Sequence, residues 1–253
     1  MTITKQGPDP DTTTDPDTAA DETPDATATP GAAAAVAANA ARMLRGLEDG
    51  SSSVRLRAAL AVGSAPDPGF VAGLVERCAV EPEFFVRDML TWALTRHPVT
   101  LTLPALLAEV RSDRAQARSQ ALHTLSKIGD GRAWPVITPA LLSDADDEVA
   151  RSAWRAAVVL VPAGEEAGLA AELATQLGRG GRETQLSLSQ ALVALGDAIE
   201  PVLRAGETAP DQGVRTHALA TRRLLSDPDA GFASAIGEAK RVAVLDGPGQ
   251  EGR

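Results

Sequence analysis

From residue 32 to residue 245, apolar side chains recur at helical spacing in segments separated by short polar turns. The segments align on an apolar or small anchor residue: Val54, Val86, Ala117, Val149, Thr184 and Val214. Successive anchors lie 30–35 residues apart, the period of a repeat array. Apolar or small residues return four, eight and eleven positions after the anchor, as in Ala121, Leu125 and Ile128, or Leu188, Leu192 and Leu195. At about 100° per residue these positions share one helical face, so each unit is predicted to contain a helix with one buried stripe. Gly129 and Gly196 follow two of these stripes, where a left-handed residue ends a helix at little cost.

A shorter helix is predicted ahead of each stripe, at 66–80, 103–110, 134–142, 165–177 and 199–205, with Pro104, Pro135 and Pro201 near three of the starts. Acids and serines gather in the turns before the second helices, at Asp49, Ser51–Ser53, Ser112-Asp113, Asp144 to Glu148 and Asp211, where they can cap those helices. With an opening helix at 33–47 and a closing one at 229–245, the pattern predicts an all-α solenoid of about six helical hairpins.

Composition supports helix. Aromatics are 3% of the chain and Tyr is absent, whereas sheets favour aromatic and β-branched residues. The net charge of −10 is uneven: residues 1–31, made of Thr, Asp, Pro and Ala, carry −6 of it. That tail has too little apolar surface to offset its ordering entropy and is expected to be disordered, either a solubilising leader or an acidic interaction segment. Residues 246–253 are expected to be a second, shorter disordered tail. The overall acidity gives no global basic field, so a nucleic-acid partner is not expected. Cys78 is the single cysteine, which rules out an intrachain disulfide and a CxxC zinc site. The N-terminus lacks the profile of a signal peptide, and no run of apolar residues is long enough for a membrane span. A cytoplasmic monomer without cofactor is the expectation.

The acidic turn, the Val-Arg pair and the spaced Ala and Leu residues together resemble the HEAT repeat, including the short bacterial form called PBS-lyase-like, across residues 32–245. The blocks Val75–Pro82, Phe84–Leu94 and Ala117–Ile128 also resemble an actinobacterial HEAT module that occurs fused behind MerR-type DNA-binding domains. That resemblance implies an armadillo-like scaffold in a regulatory or sensory role. The acidic tail stands here in place of a helix-turn-helix half, so the resemblance does not extend to direct DNA recognition.

In such arrays the second helices line a concave surface that binds partners. Positions two, six and nine after each anchor lie on the side away from the predicted core. In the second to fourth units this row holds Asp88, Trp92, His123, Arg151 and Arg155, with Arg96 and Lys127 flanking it. A large aromatic beside several cations suits an anionic or aromatic ligand, since Arg offers forked donors and Trp a stacking face. The same residues admit a second reading, in which Trp92 packs into a neighbouring helix while Asp88, Arg151 and Arg155 form an inter-repeat salt-bridge network.

Other residues have structural readings. Arg55, Arg87, Arg118 and Arg215, one position after their anchors, are expected to pair with turn acids of adjacent repeats. Trp134 is expected to pack between repeats, Cys78 to be a small buried apolar group, His97 to cap a helix end and His217 to be partly exposed. No catalytic or metal site is predicted. A di-iron hydroxylase would need His-Glu pairs, and three His without such a dipeptide cannot supply them. The rival class is a nucleic-acid enzyme like the HEAT-like alkylpurine DNA glycosylases, which hold concave Trp, Asp and Arg around a lesion. The leading expectation is a non-enzymatic scaffold that binds a protein partner or a small anionic ligand on its concave face.

Overall fold

Residues 30–227, with Ile236 and Gly237, are described by the computed structural model, and every regular element among them is helical. The helices are α1 (Pro30–Leu47), α2 (Ser52–Ser64), α3 (Val71–Val80), α4 (Phe84–Thr95), α5 (Val99–Glu109), α6 (Ala115–Ile128), α7 (Pro139–Leu142), α8 (Asp147–Leu160), α9 (Glu166–Ala174), α10 (Arg182–Val193), α11 (Glu200–Glu207) and α12 (Gln212–Ser226). Short 3₁₀ segments at Pro68–Phe70, Gly131–Val136 and Gly196–Ile199 lead into α3, α7 and α11. None of these helices is long and apolar enough to cross a membrane. The predicted tails, apart from residues 30 and 31, lie outside the described residues, as does all of the closing helix except Ile236 and Gly237.

Within residues 39–227 the helices form two rows. The even-numbered helices from α2 to α12 pack in succession along one row, while α3 packs on α5, α7 on α9 and α9 on α11 in the other. Each odd helix from α3 onward also packs on the even helix that follows it. This is an all-α solenoid, in which each hairpin covers the apolar stripe of its neighbours. The stripe lies where the periodicity places it, with Leu90, Leu94, Ala121, Leu125, Ala153, Ala157, Leu188 and Leu192 all buried. The second helices approach closely through small polar groups: Thr91 Oγ1 lies 3.4 Å from Thr124 Oγ1, Ser119 Oγ 3.1 Å from Ser152 Oγ, and Ser189 Oγ 2.7 Å from Thr221 Oγ1. Each such contact satisfies buried hydroxyls that would otherwise be costly.

Prolines account for two of the places where the first helices depart from expectation; besides these, α3 begins at Val71 and α9 ends at Ala174, inside the predicted 66–80 and 165–177. The segment 134–142 is a 3₁₀ turn followed by the four-residue α7, because Pro135 and Pro139 each remove a donor and restrict the residue before them. Pro104 is inside α5 and not near its start, since Pro98 is the N-cap and the helix begins at Val99, four residues before the predicted boundary.

The arginines after the anchors serve chiefly as staples for their own turns. Arg55 Nη1 donates to the carbonyls of Asp49 and Gly50, Arg87 Nη1 to Glu81 and Pro82, Arg118 Nη1 to Ser112 and Asp113, and Arg215 Nη1 to Ala209 and Pro210. Two of them also reach an acid of the next unit as expected, Arg55 with Glu81 at 2.7 Å and Arg118 with Asp144 at 3.1 Å. Arg87 and Arg215 form no ion pair with a described carboxylate. Side-chain caps of the predicted kind occur at Asp146 on α8 and Asp211 on α12, but α2, α4 and α6 begin without one.

Cys78 is buried, and desolvation pushes its thiol up to about 12. Trp134 is half-buried against the core, its Nε1 donating to Glu165 at 3.1 Å. His97 is buried with Nδ1 2.8 Å from the Ala93 carbonyl, in the predicted position at a helix end. His217 corrects its expectation: it is fully buried between α10 and α12. Its anchor offset falls near the predicted core edge, and only the close packing of α10 closes the remaining gap.

Candidate functional site

The row of positions two and six after each anchor is not open throughout. Thr216 and Ala220 on α12 are buried, and Ile236 packs with Leu186 and Leu219 on Ala220. On α2 Leu60 of the same row is exposed, and three adjoining hollows lie over α4, α6, α8 and α10.

The middle hollow, about 320 Å³, is lined by Asp88 of α4, His123 of α6, and Glu148, Arg151 and Arg155 of α8, with Phe84 at one end. A second hollow of about 250 Å³ shares Arg87, Ser119, Gln120 and Glu148 with it and adds Asp146. A third, about 260 Å³, shares Arg155 with the middle one and adds Lys127, Val158, Val159 and Ala191. Four of the seven candidate residues, Asp88, His123, Arg151 and Arg155, therefore line one hollow. Lys127 joins them through the adjoining one. Trp92 and Arg96 line none of the three.

Trp92 follows the packing alternative. A Cβ built on Gly63 of α2 would lie 2.3 Å from Cζ3 of the Trp92 ring, so the indole rests directly on that glycine. Trp92 as a whole remains 37% exposed. The added Cβ would also come within 2.9 Å of the Ala93 backbone, which cannot move independently of α4. Gly63→Ala is expected to cost about 1–3 kcal/mol through overpacking. Urea unfolding followed by tryptophan emission checks this, and an unchanged midpoint would mean that the indole swings aside freely. Arg96 is the exposed C-cap residue of α4.

The proposed salt-bridge network among Asp88, Arg151 and Arg155 does not form. Arg151 Nη1 pairs instead with Glu148 of its own helix at 2.6 Å and with Glu183 of α10 at 3.7 Å. Asp88 forms no ion pair with a described residue. Arg155 has none either: its Nη2 donates to Ser152 Oγ at 3.0 Å, and its buried Nε has no acceptor. Burial lowers the Arg155 pKa from its ordinary value, with the charge of Arg151 acting in the same direction and Glu148 opposing. An arginine stays protonated despite such a shift, so Arg155 is a partly desolvated cation without a counter-ion among the described residues. Burial also lowers the pKa of His123, assisted by Arg155 and Lys127 and opposed by Asp88. The shift favours the neutral imidazole beside two cations.

This arrangement can bind an anionic group. Arg155 supplies the charge, Lys127 adds to it from the next hollow, and His123 offers a neutral hydrogen-bonding ring. Asp88, Asp146 and Glu148 alternate with the cations, so the surface is mixed in charge and not a basic stripe. Among the described residues no cluster of His, Cys, Asp or Glu is placed to hold a metal ion. Phe84, 73% exposed with the Arg87 guanidinium 5.9 Å from its ring centroid, is a lining residue absent from the sequence-based candidates. It precedes its anchor by two positions, and only the start of α4 at that residue brings it to the rim. An exposed Phe-Phe pair at a predicted helix start was the available signal.

No protein-family model matches the chain, and no curated protein matches it at a significant level. Among solved structures, an engineered protein crystallised by the Northeast Structural Genomics Consortium is similar at 17% identity and a TM-score of 0.41, covering 75% of this chain and 98% of its own. Likeness at that level assigns neither family nor activity.

Proposed function

We propose that the protein is a non-enzymatic HEAT-type scaffold or adaptor that binds an anionic partner segment or ligand along its row of second helices, in a regulatory role and as a cytoplasmic monomer. The observation that carries this reading is Arg155. A partly buried cation normally has a carboxylate partner, because desolvating it alone costs several kcal/mol (order of magnitude, ~). Here no such partner occurs among the described residues, and Arg155 lines two hollows. The interleaved acids favour a binder of discrete anionic groups over an enzyme acting on a nucleic-acid backbone, whose evenly spaced phosphates would meet Asp88, Asp146 and Glu148.

Arg155→Ala is expected to leave the helical circular-dichroism spectrum unchanged and to abolish recovery of the partners that the wild-type chain captures from its own cells. Recovery equal to wild type would remove this hollow from the reading. Lost helicity would instead assign Arg155 to the framework.

A further inference from the structure

The three hollows together point to a narrower occupant than an anion of unspecified kind. They form a single track, because Gln120 and Glu148 belong to both the 250 Å³ hollow and the middle one, and Arg155 to both the middle and the third. The 250 Å³ hollow and the middle one both lie over α4, α6 and α8, and the third lies over α6, α8 and α10, so the track follows the groove between α6 and α8. On α6 it extends from Ala115 to Lys127, about 18 Å at about 1.5 Å per residue. An extended chain rising about 3.3 Å per residue covers that distance with about five or six residues. A compact ligand would fill one hollow and leave the others to solvent.

Resting on the binding role proposed above, we infer that this track holds an extended peptide segment of a partner protein, in which an acidic side chain lies two residues from an aliphatic one. The chemistry changes in order along the track. Asp146 lines the 250 Å³ hollow and not the middle one, so an acid is less favoured there, where Glu148 is already paired with Arg151. In the middle, Arg155 has no ion pair with a described residue, while Arg151 is paired with Glu148 and Asp88 lines the same hollow. The third hollow exposes Val159, 51% accessible, beside Val158 and Ala191. An acidic side chain at Arg155, with Lys127 adding its charge, compensates the desolvated guanidinium. The next side chain on the same face of an extended peptide lies about 6.6 Å further along and covers the valines.

The spacing follows from Arg155 itself. Its side chain borders both the middle and the third hollow, so acid and aliphatic groups occupy neighbouring same-face positions and are not spread over the whole track. A nucleic-acid strand does not fit this order, since it would place phosphate against Glu148 and against the valines alike.

The test is selection of a phage-displayed library of random peptides on the full-length wild-type chain, and in parallel on Arg155→Ala and Val159→Asp, each checked by circular dichroism for unchanged helicity. Wild type is expected to enrich peptides with Asp or Glu two positions from Leu, Ile or Val. The most enriched sequence, synthesised, should bind Arg155→Ala weaker by roughly tenfold or more, the loss of one charge-assisted contact. Arg155→Lys should recover part of that loss, and Val159→Asp should lose the aliphatic preference while keeping the acidic one.

Enrichment of peptides without an acid, equal binding by Arg155→Ala, or no enrichment at all would overturn the inference. Arg155-dependent binding of a single-stranded oligothymidine without peptide binding would overturn it too. Failure here is separable from failure of the broader reading. If capture of native partners depends on Arg155 while no such peptide is selected, the track binds anions but not extended acidic peptides. If neither depends on Arg155, both proposals fall.

Discussion

Glu81→Ala is expected to destabilise the protein by about 3–5 kcal/mol, the cost of leaving a buried charge without its partner. Glu81 is fully buried in the turn between α3 and α4. Its Oε1 accepts from Arg55 Nη2 at 2.7 Å and from the Glu83 amide at 2.9 Å, and its Oε2 accepts from Arg55 Nε at 2.7 Å and Arg77 Nε at 2.8 Å. Removing the carboxylate strands Arg55, which is also buried, and takes away the only described link that ties the turn before α2 to the turn before α4 through a side-chain ion pair. In a chain of this size the melting midpoint should fall on the order of 10 °C. Because each hairpin of a solenoid leans only on its neighbours, the loss should be largest in α2 to α4, read by hydrogen exchange as earlier opening of that end. A midpoint within a few degrees of wild type would show that the arginines re-solvate without cost.

The same carboxylate has a pH signature. Burial alone would raise its pKa, but the bonds from Arg55, the Glu83 amide and Arg77 outweigh burial and hold it at about 2, below the ordinary 4.5. A group lowered in the folded state stabilises above its unfolded value, so this contribution is complete above pH 4.5 and is lost as pH falls towards 2.

The second large effect is expected at higher pH and belongs to His217. Its Nδ1 accepts the Gly178 amide at 3.0 Å, so the proton of the neutral ring sits on Nε2, which donates to the Gln185 carbonyl at 2.9 Å. Protonating Nδ1 would set a donor against the Gly178 donor inside the fold. Burial lowers the pKa to about 4 from 6.5, against the Gln185 carbonyl, which pulls upward. The unfolded chain therefore binds a proton that the folded chain refuses between pH 6.5 and 4, and stability falls as pH drops through that window. The slope is about 1.4 kcal/mol per pH unit, or ~3 kcal/mol over the whole interval. Above pH 6.5 both states are neutral at this site and no slope is expected. His217→Gln can keep the bonds to the Gly178 amide and the Gln185 carbonyl, with a second amide hydrogen available to Ser189 Oγ, which lies 3.0 Å from His217 Nε2. In urea titrations between pH 7.5 and 4, the variant should lose this part of the slope, about 1.4 kcal/mol per pH unit. Parallel stability curves for variant and wild type would place the acid sensitivity elsewhere; His123, also lowered by burial, is the next group to test.

The candidate site was partly legible before any tertiary structure. The offset rule that placed Asp88, His123, Arg151 and Arg155 on one row depends only on helical phase, and the phase was right: residues four and eight after the anchor are buried in α4, α6, α8 and α10. The rule failed at Trp92, which has the correct offset but belongs to the contact with α2. A bare glycine on the neighbouring helix draws a large ring toward it, and nothing in the spacing of α4 reports what Gly63 offers across the interface. Trp154, the largest fully buried side chain, drew no attention in the sequence for the related reason that its burial depends on the Leu142 carbonyl, 2.8 Å from its Nε1.

The amino-acid order alone determined the helices, their pairing into hairpins and which stripe of each is covered. Those properties arise from residues within about one turn or one unit of each other, through backbone geometry and the periodic placement of apolar groups. Tertiary structure decided which charges meet. Arg151 turned to Glu148 and Glu183, Arg155 was left without a carboxylate, and His217 was sealed in, because each outcome depends on the rotation and offset of one hairpin against the next. Small differences in that offset move a side chain from bonding distance to none, and a periodic pattern carries no record of them.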